Sequence, residues 1–191
     1  MKIILDNGHG CDTKGKRSPI WGDGSQLFEF EFNRDVVRRI ERGLNLHGIS
    51  PIILVPEDMD IPLSQRVARC NSIARRHNNN ALLISVHANA GGGTGFEIFT
   101  SVGETKSDYY ATKIFEEFQR EFPEQRMRTD HSDGDPDKES PFYILKNTIC
   151  PAVLTENFFM DTEEDCRLIL SEEGRQRVAD AHINAILRIV K

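Results

Sequence analysis

The sequence predicts an α/β fold in a single domain over residues 1–191, a sheet with helices on both faces. Short apolar runs alternate with segments of helical periodicity along the chain, the pattern of a sheet layered with helices. Three runs are nearly continuous in apolar residues, Ile3-Ile4-Leu5, Ala81 to Val86 and Pro151 to Leu154, as expected of strands covered on both sides. A chain of this length buries roughly 70% of its unfolded surface, enough for a core without disulfide staples.

Each element follows from its local pattern. Strands are predicted at 2–6, 51–55, 81–86, 96–100 and 151–155. Helices are predicted where apolar residues recur on one stripe: Asn33, Val36, Ile40 and Leu44; Leu63, Val67, Cys70 and Ala74; Ala111, Phe115, Phe118 and Phe122; and Ala179, Ile183, Ile186 and Val190. The polar, turn-rich stretch from Arg128 to Ser140 reads as a surface loop or flap, and "NAGGGTG" at 89–95 as a flexible connection after a strand. Neither has the spacing of a phosphate-binding loop, and the sequence shows no internal repeat or interdomain linker.

Composition narrows the partners. A net charge of -6 argues against nucleic acid and anionic membrane surfaces. No apolar run approaches the length of a membrane span, so no membrane insertion is expected. Met1 leads at once into a core strand, with no h-region or cleavage site, which predicts synthesis in the cytoplasm without a signal peptide. Cys11, Cys70, Cys150 and Cys166 are widely scattered and fit reduced thiols.

Ligands of open α/β sheets bind beyond the carboxyl ends of the strands. The three most apolar runs are followed there by His9 in "LDNGHG", by His87, and by Glu156 in "LTENFF". A fourth residue comes from the helix over 28–44. Glu29 falls on its inward stripe, whereas Glu31 aligns with Asp35, Arg38 and Arg42 on the solvated face. A carboxylate on an inward stripe must be paired, hydrogen-bonded or metal-bound, because burying a bare charge is costly. Two histidines and a carboxylate suit a catalytic zinc that keeps one position for water, and Glu156 is then placed to accept that water's proton. Cys11 reads as a loop or packing residue, with metal contact the alternative. His47, His77 and His182 read as residues of polar helix ends or faces, while His131 rides on the 128–140 loop.

Taken in order, "IILDNGHG" at 3–10, "EFEFN" at 29–33, "LSQRVARCN" at 63–71, "ISVHANA" at 84–90 and "CPAVLTENFF" at 150–159 resemble the zinc-dependent N-acetylmuramoyl-L-alanine amidases of type 3. The resemblance implies a twisted, mixed sheet of six strands, which leaves one strand to find, with 142–146 the candidate. It implies Zn2+ held by His9, Glu29 and His87, with Glu156 as the catalytic residue. The implied reaction is hydrolysis of the amide between N-acetylmuramic acid and L-alanine, with peptidoglycan as substrate, as in an autolysin or endolysin. Without a signal peptide, such an enzyme reaches the wall by release or by another export route. Two alternatives stand beside this reading: a zinc peptidase or deacylase cutting another amide, and a wall-binding module without activity. The chain departs from the family in two places. Asn7 stands where the family has proline before Gly-His-Gly. Asn157 and Asp161 stand in "NFFMDTEED", where the family has a Gly-Phe pair and a later Asn.

Overall fold

The computed structural model describes residues 1–132 and 134–191, so position 133 of the predicted flap lies outside the described residues. In chain order they form β1 (Lys2–Asn7), α1 (Glu29–Leu46), β2 (Ile52–Ile53), α2 (Leu63–Arg76), β3 (Ala81–Asn89), β4 (Phe96–Thr100), α3 (Lys106–Glu121), β5 (Lys138–Glu139), α4 (Tyr143–Asn147), β6 (Ala152–Phe159), α5 (Glu163–Leu170) and α6 (Glu172–Val190). The strands make one six-stranded sheet in the order β2-β1-β3-β6-β4-β5. β2, β1, β3 and β6 run parallel, β4 pairs antiparallel with β6, and β5 pairs parallel with β4. The sheet is therefore mixed, as the resemblance implied. Among the described residues, no helix is long and apolar enough to cross a membrane.

Alternate side chains of the central strands feed two cores, because successive residues of a strand face opposite ways. Ile3, Leu5, Leu82, Ile84, Val86 and Val153 pack with the inward stripes of α1, α3 and α6. Ile4, Leu83, Ala152 and Leu154 pack with Val67, Cys70 and Ala74 of α2 and with Ile144 and Leu145 of α4. Phe118 of α3 stacks on Phe96 of β4, ring centroids 3.7 Å apart. Full burial of each such ring stabilises the fold by roughly 1.5–3 kcal/mol. Helix α3 also starts on a capping box, in which Thr105 and Asp108 satisfy each other's backbone N–H groups.

Several elements differ from the sequence prediction. The segment 142–146 is not the missing strand, since Tyr143–Asn147 is helix α4. Its adjacent apolar residues Ile144 and Leu145 both reach the α2 core from one helical turn, whereas a strand would have turned one of them away. The sixth strand is β5, inside the stretch read as a flap. Its sequence, Lys-Glu, has no apolar pattern, and only backbone pairing with the β4 edge defines it. β2 is shorter than predicted, while β3 and β6 run on through Asn89 and Phe159. Leu63, assigned to the α2 stripe, is exposed.

His182 is not on a polar helix face. It is fully buried between α6 and the sheet, where its Nδ1–H donates to Val178 O at 2.8 Å and its Nε2 accepts from Thr155 Oγ1 at 3.1 Å. Burial in this apolar layer pushes its pKa down from 6.5 to about 4. The neutral ring is thus the form the fold holds. Its contribution is complete above pH 6.5 and is lost as pH falls through about 4, a change of about 3 kcal/mol. Urea unfolding between pH 7 and pH 4 is expected to show this loss, and His182→Gln is expected to reduce the pH dependence by about that amount.

Candidate metal centre

His9 lies just past the end of β1, in a backbone conformation rare outside glycine. Its φ is 64°, in the left-handed region, which non-glycine residues occupy only when their surroundings hold them there. The surroundings here are two arginines: Arg34 Nη1 and Arg66 Nη2 donate to the His9 carbonyl at 2.9 and 3.3 Å. Asn33 Nδ2 holds the Gly8 carbonyl at 3.0 Å. Gly8 must be glycine for a different reason: a Cβ there would lie 2.0 Å from the His87 ring.

The loop is braced from below by Arg66, 2% exposed despite its charge. Its guanidinium bonds Asp6 Oδ1 and Asp60 Oδ1, both at 2.7 Å, and the Asn7 carbonyl at 3.1 Å. Ser85 Oγ donates to the other Asp6 oxygen at 2.6 Å. Arg66 lies four residues before Cys70 and seven before Ile73, on the inward side of α2. A charged residue on that face carries the same helical-phase signal that marks Glu29 on α1.

Glu29 is the first residue of α1 and is fully buried. Its Oε1 lies 3.1 Å from His87 Nδ1 and 3.4 Å from His9 Nε2. The two imidazoles stand edge to face, ring centroids 5.0 Å apart. One ligand atom from each of His9, Glu29 and His87 lies within 4.8 Å of the others, a group able to hold a metal ion. Burial alone would raise the Glu29 carboxyl, but hydrogen bonds from His87 and His9 outweigh it and hold the group well below the usual carboxylate range. His87 shifts upward: burial opposes its charged form, and the Glu29 carboxylate more than compensates. The second Glu29 oxygen, Oε2, is buried without a hydrogen-bond partner among the described residues, with Lys16 Nζ 3.6 Å away. A buried carboxylate with one oxygen beside two ring nitrogens and the other without a hydrogen bond fits a cation of zinc type. Glu31, by contrast, is exposed, as its place on the solvated face predicts.

His87 and Glu156 lie within strands rather than after them. They are direct partners across β3 and β6, and Glu97 of β4 is the next partner beyond Glu156. The apolar runs stop there because these residues face the ligand side of the sheet, although the ladder continues. Burial raises the Glu156 carboxyl to about 7, with His87 pulling it down and Glu29 pushing it up. Glu156 Oε2 has no hydrogen-bond partner among the described residues. Glu97 is neutralised instead by Arg128 and by Lys138 at 2.8 Å, and accepts a hydrogen bond from Asn89 Nδ2 at 2.9 Å. None of these three partners had a readable signal, since they meet Glu97 only through the 128–140 loop and the β3 end.

The family differences have structural roles. Phe158 occupies a left-handed position, φ 68°, and is fully buried with its ring 4.9 Å from that of Phe122. Asn157 donates to the His87 carbonyl at 2.8 Å. Asp161 accepts from Gly91 N and Gly92 N at 2.7 and 3.0 Å, tying down the glycine-rich loop. Cys11 is exposed and stands outside the cluster, its thiol 3.7 Å from the Met59 sulfur. A cavity of about 410 Å³ joins His9, Lys16, His87 and Glu156 to Leu63, Phe142 and Tyr143.

Comparison with known proteins gives the family and the fold. The profile of the type 3 family, described as N-acetylmuramoyl-L-alanine amidase, matches residues 3–188. The N-acetylmuramoyl-L-alanine amidase CwlM of Bacillus licheniformis is 29% identical over 98% of this chain and 68% of its own length. A sporulation-specific N-acetylmuramoyl-L-alanine amidase of Bacillus subtilis is 28% identical over 97% of this chain and 67% of its own. Among solved structures, an N-acetylmuramoyl-L-alanine amidase from Clostridium difficile 630 shares the fold with a TM-score of 0.80. It is 22% identical, with 99% of this chain and 96% of that one covered.

Replacing Arg66 with Met is expected to leave Asp6 buried without its cation and to destabilise the protein by about 3–5 kcal/mol. Chemical denaturation measures the loss, and pairing the change with Asp6→Asn is expected to recover part of it. Gly8→Ala is expected to displace the His87 ring and weaken zinc binding by about ten-fold or more, read by competition with a chromogenic chelator.

Proposed function

Because this chain belongs to the N-acetylmuramoyl-L-alanine amidase family of type 3, we propose that it is a zinc-dependent hydrolase of the amide joining N-acetylmuramic acid to L-alanine in peptidoglycan. One catalytic domain over residues 1–191 carries the activity. The observation that supports zinc most directly is the buried cluster of His9, Glu29 and His87, with a carboxylate oxygen left without a partner. These three residues are the ligands in this reading. Zinc, when bound, supplies Lewis acidity and lowers the pKa of water to about 7.

The remaining chemistry belongs to Glu156. Its carboxyl sits near neutrality, where a general base is most effective at neutral pH. The Glu156 carboxylate takes the proton of the attacking water. It then returns that proton to the departing amine of L-alanine, a poor leaving group until protonated. Asn157 holds the His87 carbonyl and so fixes the strand carrying one ligand against the strand carrying the base. The cavity beside these residues accepts the substrate, with an apolar wall of Ile61, Leu63 and Tyr143 opposite the polar centre. The wall-lytic setting follows from the substrate.

Glu156→Gln is expected to retain zinc and lose most turnover, about 100-fold or more, whereas His87→Ala loses metal and turnover together. Zinc analysis paired with mass spectrometry of digested sacculi measures both. The expected product is a stem peptide with a free L-alanine amino terminus and intact muramic acid. Normal hydrolysis by Glu156→Gln, or cleavage within the stem peptide, would overturn the assignment.

A further inference from the structure

The acidic loop ahead of β5 plays no part in the reaction above, yet it contains a second buried carboxylate without full compensation. Asp137 is 2% exposed. Its Oδ2 accepts from Thr100 Oγ1 at 2.7 Å, and Thr100 is itself fully buried on β4. Its other oxygen, Oδ1, is buried and has no hydrogen-bond partner among the described residues. The half-buried Asp135 lies beside it, its Oδ1 accepting the Asp137 backbone N–H at 3.3 Å. Burial first, and Asp135 next, push the Asp137 carboxyl up to about 8, with Asp108 of α3 adding further negative potential. The next residues, Lys138 and Glu139, turn elsewhere: Lys138 Nζ goes to Glu97, and Glu139 Oε1 accepts from Gly103 N at 2.7 Å. Among the described residues, the carboxylate pair is thus left without a side-chain cation of its own.

Two carboxylates in contact, one of them closed off from water, repel each other unless positive charge lies between them. We propose that Asp135 and Asp137 hold a hard divalent cation of the calcium class, which pins the 134–139 loop to the β4 edge. The donors are carboxylate oxygens, with no imidazole or thiol among them, which disfavours zinc and suits calcium. The partial exposure of Asp135 leaves room for the waters that complete a calcium shell. The site is distinct from the His9, Glu29 and His87 cluster and does not rest on the proposed reaction. It has a bearing on that centre nonetheless. Lys138 pairs in register with Phe99 and reaches Glu97, the cross-strand partner of Glu156. A cation at Asp137 therefore stiffens the segment that neutralises the carboxylate beside the proposed base.

The test is calorimetric titration of CaCl2 into the full chain saturated with zinc, together with thermal melts in about 5 mM CaCl2 or MgCl2, a concentration that covers weak extracellular-type sites. One calcium site per chain is expected, with a melting temperature raised by roughly 3 °C or more and a smaller response to magnesium. Asp137→Asn is expected to abolish both effects and Asp135→Asn to weaken binding at least about ten-fold, with zinc content unchanged in each. If the unaltered chain gives no heat and no shift, a shared proton holds the pair and the proposal is wrong. A response that persists unchanged in Asp135→Asn or Asp137→Asn places calcium elsewhere and also overturns it. The titration of the unaltered chain needs no variant, so poor folding of one substitution does not blunt the test.

Discussion

A fully buried carboxylate at the first turn of α1 sets the terms for the rest of the site. Glu29 is removed from water at a point where nothing on its own helix can compensate it, so opposite charge or hydrogen bonds must come from other elements. They come from His9 beyond β1 and from His87 on β3. The helix N-terminus contributes only weakly, since a macrodipole is worth about 0.3–1 kcal/mol against a penalty of several. The sheet and α1 are thus joined at one end by charge matching as well as by the apolar core beneath.

That matching requires His9 to be held where its backbone would not rest unaided. Two guanidinium groups grip its carbonyl, and one of them, Arg66, is itself buried and answered by Asp6 and Asp60. Positive and negative groups alternate from the sheet to the loop, each offsetting the desolvation of the next. Such a chain is stiff because losing any member strands a charge in a dry site. The benefit is preorganisation: the two imidazoles and the Glu29 carboxylate are held in place by the fold itself.

Across the sheet, register does the same work. His87, Glu156 and Glu97 stand side by side on three neighbouring strands, yet they meet different fates. His87 is drawn upward by Glu29, Glu156 is raised by burial, and Glu97 is lowered by Lys138 and Arg128 against the opposing effect of its own burial. Only the middle residue is left near neutrality. Three titratable groups within one pleated row acquire separate roles from their neighbours alone.

Local pattern was enough to read the α/β class and most of the inward stripes, because burial leaves a periodic trace, and the ends of the apolar runs singled out His9, His87 and Glu156, which the structure sets near Glu29. Glu29 was distinguishable from Glu31 by helical phase alone, and the structure places them accordingly, one buried and one exposed. Tertiary structure decided what carries no period. Segment 142–146 became a helix because both Ile144 and Leu145 had a core to reach. Lys138–Glu139 became a strand because the β4 edge offered backbone partners. His182 entered the core because Thr155 and Val178 satisfied its ring. Composition and spacing record which side of an element faces inward; the partner that waits there belongs to distant parts of the chain, and only folding brings it into contact.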